Sequence, residues 1–264
     1  MVKEMRDLAE RYRNVIAERG DAAQRAEFLK MIALSMLMES RFRPSQECVE
    51  LAKRAVATSD ETNIPAQAGH VNFVLGLIEL CHGDFGGGVE QCGRALVMAE
   101  QTGDLVLQSR CLTYRAVAFR RLGDVARCRT DAEKTCELAN KLGMVEYIAM
   151  AKANLAWVTW RQENYAEAEK LATEALELWH GMHDPYGFDW MALWPLIAIA
   201  LHREDSSAAI GFARGLLAEN QHPLPEKLSR AIRRACDESQ NGAQEDAAAD
   251  LASAMGLARE LRYL

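Results

Sequence analysis

The sequence predicts an all-α fold in which pairs of antiparallel helices stack on one another. Turn-forming residue pairs recur at spacings of 40, 40 and 41 residues. They lie at Gly83-Asp84, Gly123-Asp124, Glu163-Asn164 and Glu204-Asp205. A second set of turn signals lies at Gly103, Gly143 and Gly181. A fixed period of this length is typical of stacked repeats, and strand-like alternation is almost absent. We therefore expect a right-handed superhelical solenoid of about five to six antiparallel helix pairs.

Each repeat unit is expected to contain two helices. Apolar residues recur at three- and four-residue spacings in these segments, as on helices that bury one face. The expected segments include about residues 22–39, 45–56, 145–161 and 165–179, and a weaker last pair covers about residues 225–238 and 242–261. The stretch SQECVELAKRAV at 45–56 matches YAEAEKLATEAL at 165–176, which extends the repeat toward the N-terminus.

The prolines mark the connectors between these helices, with one exception. Five of the six fall between predicted helices or at helix starts, where a missing N–H costs little. Pro195 lies inside a predicted helix, so a kink is expected there. Two causes stay open: curvature that seats the C-terminal cap, or a pocket that opens beside Trp190 and Trp194.

The first twenty residues predict an additional helix with Met5, Leu8, Tyr12 and Val15 on one face. Such a helix commonly caps the end of a stack, and a dimer seam is the alternative. The expected organisation is a capping helix over residues 1–20 and a repeat domain over residues 21–264.

The composition argues against several classes of protein. The chain of 264 residues carries a net charge of −7, which disfavours direct nucleic-acid binding. The N-terminus lacks the apolar segment of a signal peptide, and the longest apolar run, Trp190–Leu201, is too short to cross a membrane. The seven cysteines form no CxxC pair, so we expect buried, reduced thiols in a cytoplasmic protein.

No motif for catalysis or for a cofactor stands out. The segment HGMHD at 180–184 offers metal-ligand side chains, but it adjoins Pro185 at a helix end, where such residues commonly decorate a turn. The glycines at 86–88 lack the preceding strand that a phosphate-binding loop requires. The expectation is a protein without enzymatic activity, metal or cofactor.

The segment LAWVTWRQENYAEAEKLATEAL resembles the tetratricopeptide repeat, and the resemblance covers about residues 22–262. The period of 40 residues is similar to the long repeats of bacterial regulators, such as the maltose-regulon activator and the peptide-pheromone receptors. About residues 185–264 also resemble the helical tail of large bacterial signalling proteins with an upstream ATPase or cyclase domain. The chain has no phosphate-binding loop and no helix-turn-helix segment. The resemblance therefore implies the interaction or sensor part of such a protein.

In that repeat family the first helix of each pair lines a concave groove. Carried over to this sequence, the resemblance implies groove positions that are mostly aromatic or basic. They are His70, Phe73, Arg110, Tyr114, Arg120, Arg121, Asn154, Trp157, Trp160, Arg161, Trp194 and His202.

Aromatic residues and arginine are common interface anchors, and arginine can bind a carboxylate with two hydrogen bonds. We expect the groove to capture an acidic or C-terminal peptide segment of another protein, with Arg120, Arg121 and Arg161 as carboxylate ligands. Three alternatives stay open. In the first, the tryptophans are core residues beside solvated arginines. In the second, the groove binds a small effector, and in the third, the chain forms a homodimer.

Overall fold

The computed structural model describes residue 7 and residues 11–12, 14–16, 18–184 and 186–264. Within these residues the chain forms helices and no strands, so the all-α prediction is confirmed. Twelve helices follow one another between residues 22 and 260 of the described chain. They are α1 (Ala22–Glu39), α2 (Gln46–Asp60), α3 (Pro65–His82), α4 (Phe85–Thr102), α5 (Leu105–Leu122), α6 (Val125–Leu142), α7 (Val145–Arg161), α8 (Tyr165–His180), α9 (Trp190–His202), α10 (Ser206–Gly215), α11 (Glu226–Gln240) and α12 (Gln244–Glu260).

The chain clusters into two compact units, Met1–Ala118 and Phe119–Leu264. In the first unit α1 to α4 each pack against the next helix, and α1 also contacts α3. In the second unit α6 to α12 do the same, with further contacts between α7 and α9 and between α10 and α12. Contacts to the next helix and to the next but one are the pattern expected for stacked helix pairs.

The recurring turn pairs end one helix and begin the next. Gly83 and Gly123 have φ angles of 102° and 78°, which favour glycine. The following Asp84 and Asp124 accept hydrogen bonds from backbone N–H groups at 2.9 Å and so cap α4 and α6. The same conformation recurs at Glu163, whose φ is 62°. The 40-residue period therefore reflects a repeated left-handed residue followed by an N-cap.

The second set of turn signals is only partly equivalent. Gly103 and Gly143 end α4 and α6 in the left-handed conformation, with φ angles of 71° and 67°. Gly181 ends α8 with a φ angle of −78°, so its turn differs from the other two. A longer connector follows it before α9 begins at Trp190.

The face predicted for the N-terminal helix lies partly outside the described residues, because Met5 and Leu8 belong to the undescribed positions. Tyr12 and Val15 are exposed. Pro185 is also outside the described residues, whereas α9 continues through Pro195. None of the described helices is long and apolar enough to cross a membrane.

The cysteines are free thiols, and most of them lie in the core as predicted. Cys81 and Cys136 are half-buried, and the other five are buried. Burial raises the pKa of Cys48 to about 11 and that of Cys128 to about 12, so both stay protonated at neutral pH.

Candidate functional site

The strongest concentration of aromatic and basic side chains lies in the second unit. We call Arg120, Arg121, Trp157, Arg161 and Trp190 the arginine–tryptophan cluster. The Arg120 guanidinium lies 5.8 Å from the Trp157 ring centroid and 5.4 Å from that of Trp190. Arg121 lies 5.7 Å from the Trp190 ring, and Arg161 lies 5.4 Å from the Trp157 ring. These distances are within the range of cation–π attraction.

Helix geometry explains how the sequence builds this cluster. Arg120 and Arg121 end α5, and consecutive helical residues point about 100° apart. As a result Arg120 is buried while Arg121 is only half-buried. Trp157 and Arg161 are four residues apart on α7 and therefore share a face.

Arg120 is a buried cation. Its side chain is 2% exposed, and its Nη1 donates a hydrogen bond to the carbonyl oxygen of Ala153 at 3.2 Å. Its Nε and Nη2 have no hydrogen-bond partner within the described chain. Burial lowers the pKa of Arg120 to about 9, which leaves the guanidinium charged at neutral pH.

Two further polar side chains beside Arg120 lack partners. Asn154 and Trp157 are both 0% exposed. The amide oxygen and nitrogen of Asn154, and the indole nitrogen of Trp157, make no hydrogen bond to any described residue. Buried polar groups normally have partners, and Asn154 and Trp157 share this lack with other buried side chains of the described chain, such as the indoles of Trp179 and Trp194.

The segment that follows α12 lies against the cluster. Arg121 donates a hydrogen bond from Nη2 to the carbonyl oxygen of Leu261 at 3.1 Å. The Arg121 guanidinium also lies 4.0 Å from the centroid of the Tyr263 ring. Tyr263 packs edge-on against Trp190 at 5.3 Å and approaches Trp194 at 6.2 Å. The space beside Trp190 and Trp194, where a pocket was one expectation, is thus filled by Tyr263.

The sequence did not single out Leu261 or Tyr263. Both lie 140 or more residues from Arg121, and such non-local contacts leave no periodic signal. The one available sign was an aromatic residue placed directly after the last apolar helix face.

The remaining candidate residues are placed as follows. In the first unit Phe73 and Tyr114 are buried, and their ring centroids lie 5.8 Å apart. His70 Nε2 lies 3.3 Å from Asp104 Oδ2, and Arg110 is half-buried. In the second unit Trp194 is buried and Trp160 is half-buried. His202 is exposed, and its ring packs at a tilt against the Tyr165 ring, with 4.6 Å between the ring centroids. The burial of Phe73, Tyr114, Trp157 and Trp194 fits the alternative interpretation of these side chains as inter-helix core.

The histidines of HGMHD are not gathered into a metal site. His180 Nε2 lies 2.9 Å from Asp189 Oδ2, and this contact ties the end of α8 to the start of α9. Across the described residues no group of three or more metal-ligand side chains occurs.

The fold and the cluster define an all-α chain of consecutively packed helices with a basic and aromatic centre in its second unit. A scan against protein-family models matches no family, and a search of curated proteins finds no significant relative. The resemblance to the tetratricopeptide repeat therefore rests on the sequence pattern alone.

Proposed function

We propose that this chain is a peptide-binding module of the tetratricopeptide-like solenoid class, acting in bacterial signalling or regulation. Its arginine–tryptophan cluster captures an acidic or C-terminal segment of a partner protein. The module has no catalytic role and binds non-covalently. Its free cysteines are those of a protein in a reducing compartment, which supports a cytoplasmic location.

The observation that carries peptide capture is the segment 261–264 lying on the cluster, whereas the acidic character of the partner is argued from the arginine charges alone. A backbone carbonyl accepts a hydrogen bond from Arg121, and the Tyr263 ring packs on that guanidinium and on Trp190. These are the contacts by which a peptide in a groove is held: a hydrogen bond to its backbone and an aromatic anchor between rings.

The charges support an acidic partner. Arg161 is exposed beside the Trp157 ring and forms no ion pair with a described residue. An exposed guanidinium placed over an aromatic surface can bind a carboxylate with two hydrogen bonds. The protein as a whole is acidic, so a local cationic patch also steers an acidic segment to this place.

Because Arg120 is buried, a charge reversal at Arg161 is a better test of the proposal than one at Arg120. Reversing the charge of Arg120 would bury a carboxylate and damage the fold, because an uncompensated buried charge is costly. Arg161→Glu changes an exposed side chain and leaves the core intact. Arg233→Glu is the matched control, since Arg233 is an exposed arginine on α11 of the same unit.

The experiment selects peptides from a displayed library of heptapeptides with free carboxyl termini, using the full chain as bait. We expect selected peptides that carry an aromatic residue together with an acidic residue or terminus. Their affinity should fall about 10- to 150-fold for Arg161→Glu, because a charge-assisted hydrogen bond contributes about 1.5–3 kcal/mol. The Arg233→Glu control should retain the affinity. Peptides that bind Arg161→Glu and the original chain equally would refute capture at the cluster.

The alternative function is a sensor that binds a small effector. The observation that favours it is the buried guanidinium of Arg120, which a peptide lying on the surface of the cluster would not reach.

A further inference from the structure

Arg120 is a buried cation for which the described chain supplies no anion. The charged or titratable groups that act on it are the Cys128 thiol and Arg121. Burial keeps the Cys128 thiol neutral, and Arg121 is itself a cation. No ion pair joins Arg120 to any described carboxylate, and a buried charge without a partner destabilises a fold strongly.

The surroundings of Arg120 leave its hydrogen-bonding edge for an acceptor. The rings of Trp157 and Trp190 lie within 6 Å of the guanidinium and attract it through cation–π contact. Nη1 bonds to Ala153, whereas Nε and Nη2 together form an edge whose geometry matches a carboxylate.

Two further donors lie on the same helix as the carbonyl that Arg120 binds. Asn154 follows Ala153 directly, and Trp157 is three residues further on, so Asn154 and Trp157 share a face of α7. The Asn154 amide nitrogen and the Trp157 indole nitrogen are fully buried donors without a partner in the described chain. Arg120, whose guanidinium lies 5.8 Å from the Trp157 ring centroid, and these two side chains of α7 thus present donors, and one of the three carries a positive charge.

We propose that Arg120, Asn154 and Trp157 form an internal site for a small carboxylate. The fork of Arg120 binds the two carboxylate oxygens, and the amide of Asn154 and the indole of Trp157 complete the donor set. Because all three side chains are at most 2% exposed, the ligand is an acid of a few heavy atoms, such as formate or acetate. This site uses the buried residues of the arginine–tryptophan cluster, whereas peptide capture uses its outer residues Arg121 and Arg161.

The test measures thermal unfolding of the full chain in formate or acetate, with chloride at equal ionic strength as the reference. A ligand that binds the folded state raises the Tm with the logarithm of its concentration. We expect this rise for the original chain and none for Arg120→Gln. The control Arg233→Gln removes one exposed arginine of the same unit and should keep the rise.

A second measurement needs no variant. Trp157 and Trp190 flank the guanidinium, so acetate should change tryptophan emission of the original chain in a saturable way, and chloride should not. Equal effects of acetate and chloride on both Tm and emission would overturn the proposal. An Arg120→Gln variant that folds and still responds to acetate would overturn it as well.

A free acid and the carboxyl terminus of a peptide present the same group, and a further pair of probes separates them. The probes are the dipeptide N-acetyl-Tyr-Leu and its C-terminal amide. Stabilisation by the dipeptide acid, as well as by acetate, would show that the site also accepts a peptide terminus. Stabilisation by acetate alone would assign it to free acids. A rise in Tm with the amide as large as the rise with the acid would contradict carboxylate recognition.

Discussion

At the scale of single residues, buried polar side chains give testable properties to this chain. Glu79 on α3 is an example in the first unit, where its Oε2 is buried without a partner in the described chain. Burial raises the pKa of Glu79 above its ordinary value of 4.5, and the nearby Asp84 and Glu90 raise it further, while Lys53 opposes them. The folded state therefore favours the protonated acid.

This shift predicts a pH-dependent loss of stability. A carboxyl whose folded pKa is raised contributes stability below pH 4.5, and the contribution is lost as the pH rises through the folded pKa. Glu79→Gln removes the titrating group, so we expect the variant to gain stability over the original chain between pH 5 and 8. Urea unfolding across that range measures the difference.

Glu137 provides the control for this experiment. It is exposed, and its hydrogen bond with Lys141 lowers its pKa, which gives the opposite direction of pH dependence. Glu137→Gln should therefore show no growing advantage as the pH rises. If Glu79→Gln kept a constant offset from the original chain, Glu79 would not titrate in the folded state as its burial implies.

The sequence indicated that arginine and tryptophan residues would lie together, but it did not predict how deeply they are buried. Arg120 and Trp157 were expected in a groove, and both belong to the cluster, but they lie in its interior. Helical periodicity assigns a residue to a face, and the depth of that face depends on which helix packs over it. The covering helix here is α9, whose Trp190 lies against Arg120.

At the scale of elements, α3 and α4 approach closely through glycines. A Cβ added at Gly76 would lie 2.8 Å from Cys92 Sγ and 3.0 Å from the Cys92 backbone nitrogen. A Cβ at Gly88 would lie 3.2 Å from the Gly76 carbonyl oxygen. A methyl group at Gly76 would force the two helices or Cys92 to shift, and one at Gly88 would press on the backbone of α3, because the interior is closely packed.

We predict that Gly76→Ala destabilises the protein by about 1–3 kcal/mol, the usual cost of overpacking. Gly93→Ala on α4 is the control, since its Cβ would meet only Arg115 at 3.8 Å. That variant should gain about 0.5–1 kcal/mol from higher helix propensity. Chemical denaturation of both variants gives the comparison. A neutral or stabilising Gly76→Ala would mean that α3 and α4 separate without cost.

Helix positions were the most predictable elements. The segment expected at residues 22–39 coincides with α1, and the one expected at 242–261 begins and ends close to α12. Gly103, Gly143 and Gly181 each follow the end of a helix, as the spacing predicted, but Gly181 lacks the left-handed conformation of the other two. A glycine indicates a turn, but the surrounding sequence does not reveal whether its backbone is left-handed.

At the scale of the whole molecule, the repeat spacing predicted that consecutive helices pack together. It did not predict which residues the last segment of the chain contacts. The hydrogen bond from Arg121 to Leu261 joins residues 140 positions apart. It belongs to no repeat and follows only from how α9 and α12 come into contact. The proposed peptide capture rests on this contact within the chain.

The most direct test uses the chain's own segment as the ligand. A labelled peptide of residues 258–264, ARELRYL, is titrated into the full chain carrying Tyr263→Ala, in which the internal segment has lost its aromatic anchor. We predict saturable binding, weaker binding to the original chain because its own Tyr263 competes, and loss of binding when alanine replaces the peptide's tyrosine. If the peptide bound neither chain, or bound equally well without its tyrosine, the cluster would not be a peptide-binding surface.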